Sequence, residues 1–268
     1  MKRSKRVRLN NMSDSLQAQN FRAIDIAAAF GLLSILPVPV DPEEAGERMA
    51  TATWAYPLVG AGLGTIAAVF AIILGGLGAP SGILAALTLG FLAFSTGAMH
   101  EDGLADCADG IGGGRDVEAR LLIMKDSRIG AFGAVALGVA LLARWSGLEG
   151  LIDAGHLFWP LVAIGAASRL PMVLAMFLMP PARADGLAAG VGMPPPASIL
   201  MACGITVIIC LLALGWGAVP LLFWVVVATL PLFYFSMKRI GGQTGDVLGG
   251  SQQLAEIAGF AVALAAVS

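Results

Sequence analysis

The stretch His100-Glu-Asp-Gly-Leu-Ala-Asp-Cys-Ala-Asp-Gly110 decides how this chain is read. It sets three aspartates, Asp102, Asp106 and Asp109, between apolar segments at a spacing of i, i+4 and i+7. On an α-helix that spacing places all three on one face within about two turns. Three anions so close repel one another unless a cation lies between them. A hard divalent ion suits such oxygen ligands, and Mg²⁺ typically bridges one or two carboxylates to substrate phosphates. The expectation is a metal-dependent phosphate site at a membrane surface, with Asp102, Asp106 and Asp109 as metal ligands. His100, just before them, is a candidate to ligate, to shuttle a proton or to orient Asp102.

Outward from this run the chain is strongly apolar. Of its 268 residues 57% are hydrophobic and 13% charged, and the mean hydropathy is +0.83, outside the range of soluble domains. With about 20 apolar residues per crossing, candidate spans fall near 55–75, 82–99, 129–146, 157–179, 197–216, 220–237 and 253–268. The fold class that follows is all-α: a polytopic membrane helical bundle of about seven transmembrane helices. The stretch 21–40 has a short apolar core, broken by Arg22 and Asp25 and ended by Pro37-Val-Pro39. It reads as an interfacial or re-entrant helix, with a true span as the alternative.

Residues 1–20, with Lys2, Arg3, Lys5, Arg6 and Arg8, read as a basic, disordered tail facing the cytoplasm and anionic lipid. Residues 21–268 then form a single membrane-embedded catalytic domain. With the tail inside and 21–40 not crossing, loops 100–128, 180–196 and 238–252 are cytoplasmic. They carry Arg115, Arg120, Lys125, Arg128, Arg183, Lys238 and Arg239, whereas the connections near 76–81, 147–156 and 217–219 carry no Lys or Arg. That asymmetry obeys the positive-inside rule, with Arg144 close enough to a span end to snorkel. Cys107, Cys203 and Cys210 have no metal-type spacing and read as small buried hydrophobes.

Loop 100–128 continues past the aspartates through Gly112-Gly-Gly-Arg-Asp116, Arg120 and Lys125-Asp-Ser-Arg-Ile-Gly130. Arg and Lys offer forked or point-charge contacts to phosphate oxygens, so Arg115, Arg120, Lys125 and Arg128 are candidate phosphate ligands. A second polar run, Lys238-Arg-Ile-Gly-Gly-Gln-Thr-Gly-Asp246, shares that predicted face. Asp126 and Asp246 are alternative candidates for a further metal ligand or for the general base. Arg169, inside span 157–179, needs a buried partner, such as an active-site carboxylate or a substrate phosphate, with a purely structural ion pair as the alternative. Glu256, at the start of the last apolar segment, would be costly unpaired. Arg183 and Asp185 are candidates for substrate contact, and His156 falls on the opposite face.

Taken together, Leu36-Pro-Val-Pro39, Tyr56-Pro-Leu-Val-Gly60, the Asp-rich run 100–110, Met124-Lys-Asp-Ser-Arg-Ile-Gly130 and Gly241-Gly-Gln-Thr-Gly-Asp246 closely resemble the cobalamin synthase family, over roughly residues 30–260. Glu101 departs from the family pattern, where an apolar residue is usual, but lies on the other helical face from Asp102. The resemblance implies a Mg²⁺-dependent enzyme of the bacterial inner membrane, acting in the last stage of vitamin B12 assembly. It would join adenosylcobinamide-GDP to α-ribazole or its 5′-phosphate with release of GMP, with the lipid bilayer and a possible oligomer as further partners and no nucleic acid. Two other classes compete. A CDP-alcohol phosphotransferase shares Asp106-x₂-Asp109-Gly110, but Gly113 and Gly114 stand where that pattern requires Ala and Arg. A transporter would gather its charges at the bilayer midplane, whereas these cluster in loops.

Overall fold

The computed structural model describes residues 20–267; of the basic tail 1–20, all but the last residue lies outside the described residues. The chain folds as α1 (Ala23–Leu33), α2 (Pro42–Ala52), α3 (Tyr56–Gly76), α4 (Ser81–Ser95), α5 (Met99–Gly113), α6 (Val117–Ile123), α7 (Ala131–Asp153), α8 (Phe158–Leu178), α9 (Leu187–Val191), α10 (Pro196–Leu214), α11 (Ala218–Val227), α12 (Leu230–Ile240) and α13 (Gly245–Ala265). It is an all-α membrane bundle. Among the described residues the only β-type pairing is one isolated bridge, Pro181 with Gln243.

Five helical segments are long and apolar enough to cross a membrane, and a sixth is added if α4 and α5 count as one bent span. One of the five, Pro196–Ile240, is 45 residues long, about 67 Å as continuous helix and more than twice the hydrocarbon thickness. It contains both sequence spans 197–216 and 220–237, and Gly215 at φ 55 interrupts it between α10 and α11. The segment 21–40 yields only α1, 11 residues or about 16 Å, too short to cross. Its Asp25 is fully buried, bonded to Arg48 of α2 and to the Trp54 indole.

Helix α8 is central, with 83% of its apolar window buried. Glycines set how closely it packs. A Cβ at Gly60 would lie 1.9 Å from the Gly165 carbonyl oxygen, and one at Gly64 would lie 2.3 Å from that of Leu161. The Gly60-x-x-x-Gly64 face of α3 therefore meets α8 backbone to backbone, the small-residue packing that membrane helices use where the hydrophobic effect gives little.

Between α4 and α5 the chain turns by 87° through two successive left-handed residues, Gly97 (φ 63) and Ala98 (φ 56). Ala98 is the one non-glycine at positive φ among the described residues. Helix α5 consequently leaves the direction of α4 and lies against α7 and α13. Its approach to α13 is again glycine-dependent: a Cβ at Gly103 would sit 2.8 Å from the Asp246 carbonyl oxygen, and Gly249 faces His100.

Candidate active site

The close approach at Gly103 brings the start of α13, and with it Asp246, to the acidic face of α5. Asp102 is exposed, Asp106 half-buried and Asp109 buried, the last covered by the start of α7. Asp106 lies within the electrostatic influence of Asp102, Asp109 and Asp246, and one cation, Arg183, offsets them. Arg183 reaches Asp246 at 3.4 Å, and the Thr244 hydroxyl donates to the same carboxylate at 3.1 Å.

Asp109 has a different occupation from its two neighbours. Its carboxylate accepts the backbone N–H of Gly130 at 2.7 Å and of Gly133 at 2.9 Å, capping the N-terminus of α7, where unpaired N–H groups favour an anion. A Cβ at Gly133 would fall 2.2 Å from that carboxylate, so glycine there admits the contact. Among the described residues no group of three His, Cys, Asp or Glu side chains is placed to hold a metal ion. Asp102, Asp106 and Asp246 remain as oxygen donors crowded by like charge. Their chemistry suits a hard divalent cation, which needs only one or two protein carboxylates when phosphates and water complete its shell.

The three basic loops meet at this face. Pro180–Ala182 pairs with Gln243 through backbone bonds in both directions, 2.8 Å each, which ties loop 180–196 to the Gly-Gln-Thr-Gly-Asp run. Gly242 allows it, since a Cβ there would lie 2.1 Å from the Pro180 carbonyl oxygen. Lys125 pairs with Asp185, linking loop 124–130 to the same strap.

The candidate phosphate ligands divide. Arg115 is exposed on the loop after α5. Lys125 and Arg128 are exposed and paired with Asp185 and Asp126; such surface pairs contribute little and exchange readily. Arg120 is buried and donates to the Arg239 carbonyl at 3.4 Å. Arg169 is away from this face, its guanidinium bonded to Glu256 at 3.1 Å and to the Ser168 hydroxyl at 2.9 Å. Of the two candidate bases, Asp126 is bonded to Arg128, and that hydrogen bond holds its carboxyl below the ordinary range. Asp246 faces the cluster.

Behind α5 lies a second polar group that the sequence does not disclose. Arg144 is 2% exposed and does not snorkel. It donates to Glu101 at 2.9 Å and to Gln253, and pairs with Glu256 at 2.8 Å. Gln252 and Gln253 bridge the same carboxylates. Glu101 is thus explained by Arg144, and Glu256 has two cations rather than none. The available signal was the spacing of Gln252, Gln253 and Glu256, which puts three polar groups within one turn of an apolar helix.

Residues 25–265 match a family model described as cobalamin-5-phosphate synthase. The chain is similar to the adenosylcobinamide-GDP ribazoletransferase of Bradyrhizobium diazoefficiens, 41% identical over 242 residues, covering 90% of this chain and 93% of that one. It is also similar to enzymes of the same name from Mesorhizobium japonicum, 40% identical over 91% of this chain and 94% of that one, and from Brucella ovis, 38% identical over 87% and 94%. No solved structure matches.

Proposed function

The chain belongs to the cobalamin-5-phosphate synthase family, and from that premise we propose that this membrane transferase of cobalamin biosynthesis joins adenosylcobinamide-GDP to α-ribazole or its 5′-phosphate and releases GMP. The observation that carries the reading is the surplus of carboxylate at Asp102, Asp106 and Asp246, offset by Arg183 alone, where three basic loops converge.

The reaction asks for little covalent chemistry from the protein. A riboside hydroxyl oxygen bonds to the corrinoid-side phosphorus, the bond from that phosphorus to the GMP oxygen breaks, and the hydroxyl proton passes to a base. The protein must orient both substrates and offset charge on the transferring group and on departing GMP. Asp102 and Asp106 would hold Mg²⁺, which when bound supplies positive charge to the pyrophosphate oxygens. Asp246 is the proton acceptor in this scheme, because it lies beside Asp106 on the acidic side of α5, whereas Asp126 sits in the loop before α7. Arg183, Arg115, Lys125 and Arg128 give phosphate contacts once the exposed pairs at Asp185 and Asp126 open. Asp109 acts indirectly, by fixing α7 against α5. Arg120 and Arg169 hold structure in this reading, and His100 belongs to the substrate side of the site.

The positive-inside pattern supports placing this face in the cytoplasm, with the protein in the bacterial inner membrane. The test is GMP release from adenosylcobinamide-GDP by the purified protein, with α-ribazole or its phosphate, in Mg²⁺ or EDTA. Release that requires Mg²⁺ and yields the joined corrinoid is the expected result. A folded preparation that released no GMP would overturn the assignment.

A further inference from the structure

Between α1, α3, α5, α8, α9 and α13 lies a small cavity of about 30 Å³. Its walls are nearly all aliphatic or thioether, Leu33, Met99, Met172, Met176 and Leu248 among them, and only two lining side chains can hydrogen-bond, Tyr56 and His100. Both residues are buried, and one of them keeps an unsatisfied atom. His100 is 1% exposed and its Nε2 has no partner. Tyr56 is 2% exposed and lines the same cavity. A buried polar atom is seldom left so, and here the unpartnered nitrogen lies beside open space lined by a second hydrogen-bonding side chain, Tyr56.

One wall is the five-residue helix α9, which contributes Leu187, Ala188 and Val191. It is jointed at both ends by glycines in conformations that L side chains rarely adopt, Gly186 (φ 103) and Gly192 (φ 81). Beyond it is a second cavity of about 260 Å³, and Met176 and Ala188 border both. A shift of α9 into the larger space enlarges the smaller one without disturbing a spanning helix.

We propose that the Tyr56–His100 cavity seats the apolar bicyclic base of the riboside substrate, with α9 as its lid; this rests on the transferase reading above. The chemistry selects the base. A benzimidazole-type ring has an apolar rim and one ring nitrogen with a free lone pair, which the Tyr56 O–H or the His100 N–H satisfies. Guanine carries a carbonyl, a ring N–H and an amino group on one edge, and in apolar walls most of these would go unpaired, which a site of this kind rejects strongly. Position agrees. His100 lies two residues before Asp102 and Gly245 directly before Asp246, so a base held here directs its ribose toward the carboxylates.

The experiment uses the full chain in detergent and two variants, Tyr56→Phe, which removes one hydroxyl at nearly constant volume, and Ala188→Phe, which fills the space under the lid. Equilibrium binding of α-ribazole is measured directly, without turnover. KM for α-ribazole and for adenosylcobinamide-GDP are measured separately, and thermal melts confirm folding. The loss of one hydrogen bond predicts about tenfold weaker α-ribazole binding and a matching rise in its KM for Tyr56→Phe, with KM for the corrinoid unchanged. Ala188→Phe should abolish α-ribazole binding. Unchanged binding in both folded variants would overturn the assignment, as would a rise confined to the KM of the corrinoid. Tyr56-dependent binding in a wild-type protein that released no GMP would uphold the cavity and overturn the transferase reading instead.

Discussion

On the inner side of α5, Glu101 meets Arg144, which also pairs with Glu256, which in turn pairs with Arg169. Two carboxylates face two guanidiniums, with Gln252 and Gln253 bonded among them. On the outer side, one residue along, Asp102 and Asp106 face Asp246, with Arg183 as the single cation. The inner cluster completes its own charge balance and is sealed. The outer one is left anionic and open, as the proposed cation site requires. A polar group inside a membrane bundle is therefore not in itself a sign of function; an unbalanced one is.

Four perturbations probe this contrast. The largest effect is expected from Asp106→Asn, which keeps the shape of the outer cluster and removes a charge. GMP release should fall by about a thousandfold or more if that carboxylate holds the cation, while the melting temperature stays level or rises as repulsion is relieved. Full Mg²⁺-dependent turnover in folded D106N would remove the metal role.

Next comes Arg144→Met, which leaves two buried carboxylates sharing one cation. Breaking a buried pair from one side costs about 3–5 kcal/mol, read as a lower melting temperature in detergent. Adding Glu101→Leu restores neutrality around Glu256 and Arg169 and should recover part of that loss. If the single variant melted like wild type, the inner cluster would not be the structural element described.

Gly133→Ala tests the junction of the two regions. The added methyl would collide with the Asp109 carboxylate and the Ala105 carbonyl, and overpacking of this kind costs about 1–3 kcal/mol. A loss of activity beyond the loss of stability is expected, since α7 then no longer holds α5. Thermal melts beside GMP release separate the two. The smallest effect belongs to Arg128→Gln at the surface. Stability should not change, and KM for the GDP-bearing substrate should rise by about threefold at low salt and less as salt screens the contact. A salt-independent KM would remove Arg128 from the phosphate-binding set.

The helical class, the membrane setting and the family were all legible before the structure, because each rests on local signals: apolar runs, a helical Asp spacing and short motifs. The number of crossings was less so. Five segments or six are long and apolar enough to cross, but one of them, 45 residues long and interrupted at Gly215, holds two of the seven apolar runs, and another run belongs to the pair bent at Gly97 and Ala98. The Asp triplet was legible as a face but not as a division of labour. Asp109 is bound to the N-terminus of α7, a contact across 21 residues that no spacing rule reports. Arg144 looked like a residue at a span end, and its partners come from α5 and α13.

By itself the sequence determined what kind of molecule this is. Hydropathy, helical periodicity and the Gly-Gln-Thr-Gly-Asp and Asp-rich runs are properties of neighbouring residues, and the physics that reads them acts over a few residues. Tertiary structure alone decided which charges are cancelled and which are left exposed. That depends on which helices come within reach, and here the reach is set by glycine contacts at Gly60, Gly103, Gly165 and Gly249. Coulomb energy depends on separation in space, so two carboxylates one residue apart on α5, Glu101 and Asp102, end as a sealed ion pair and an open charged face.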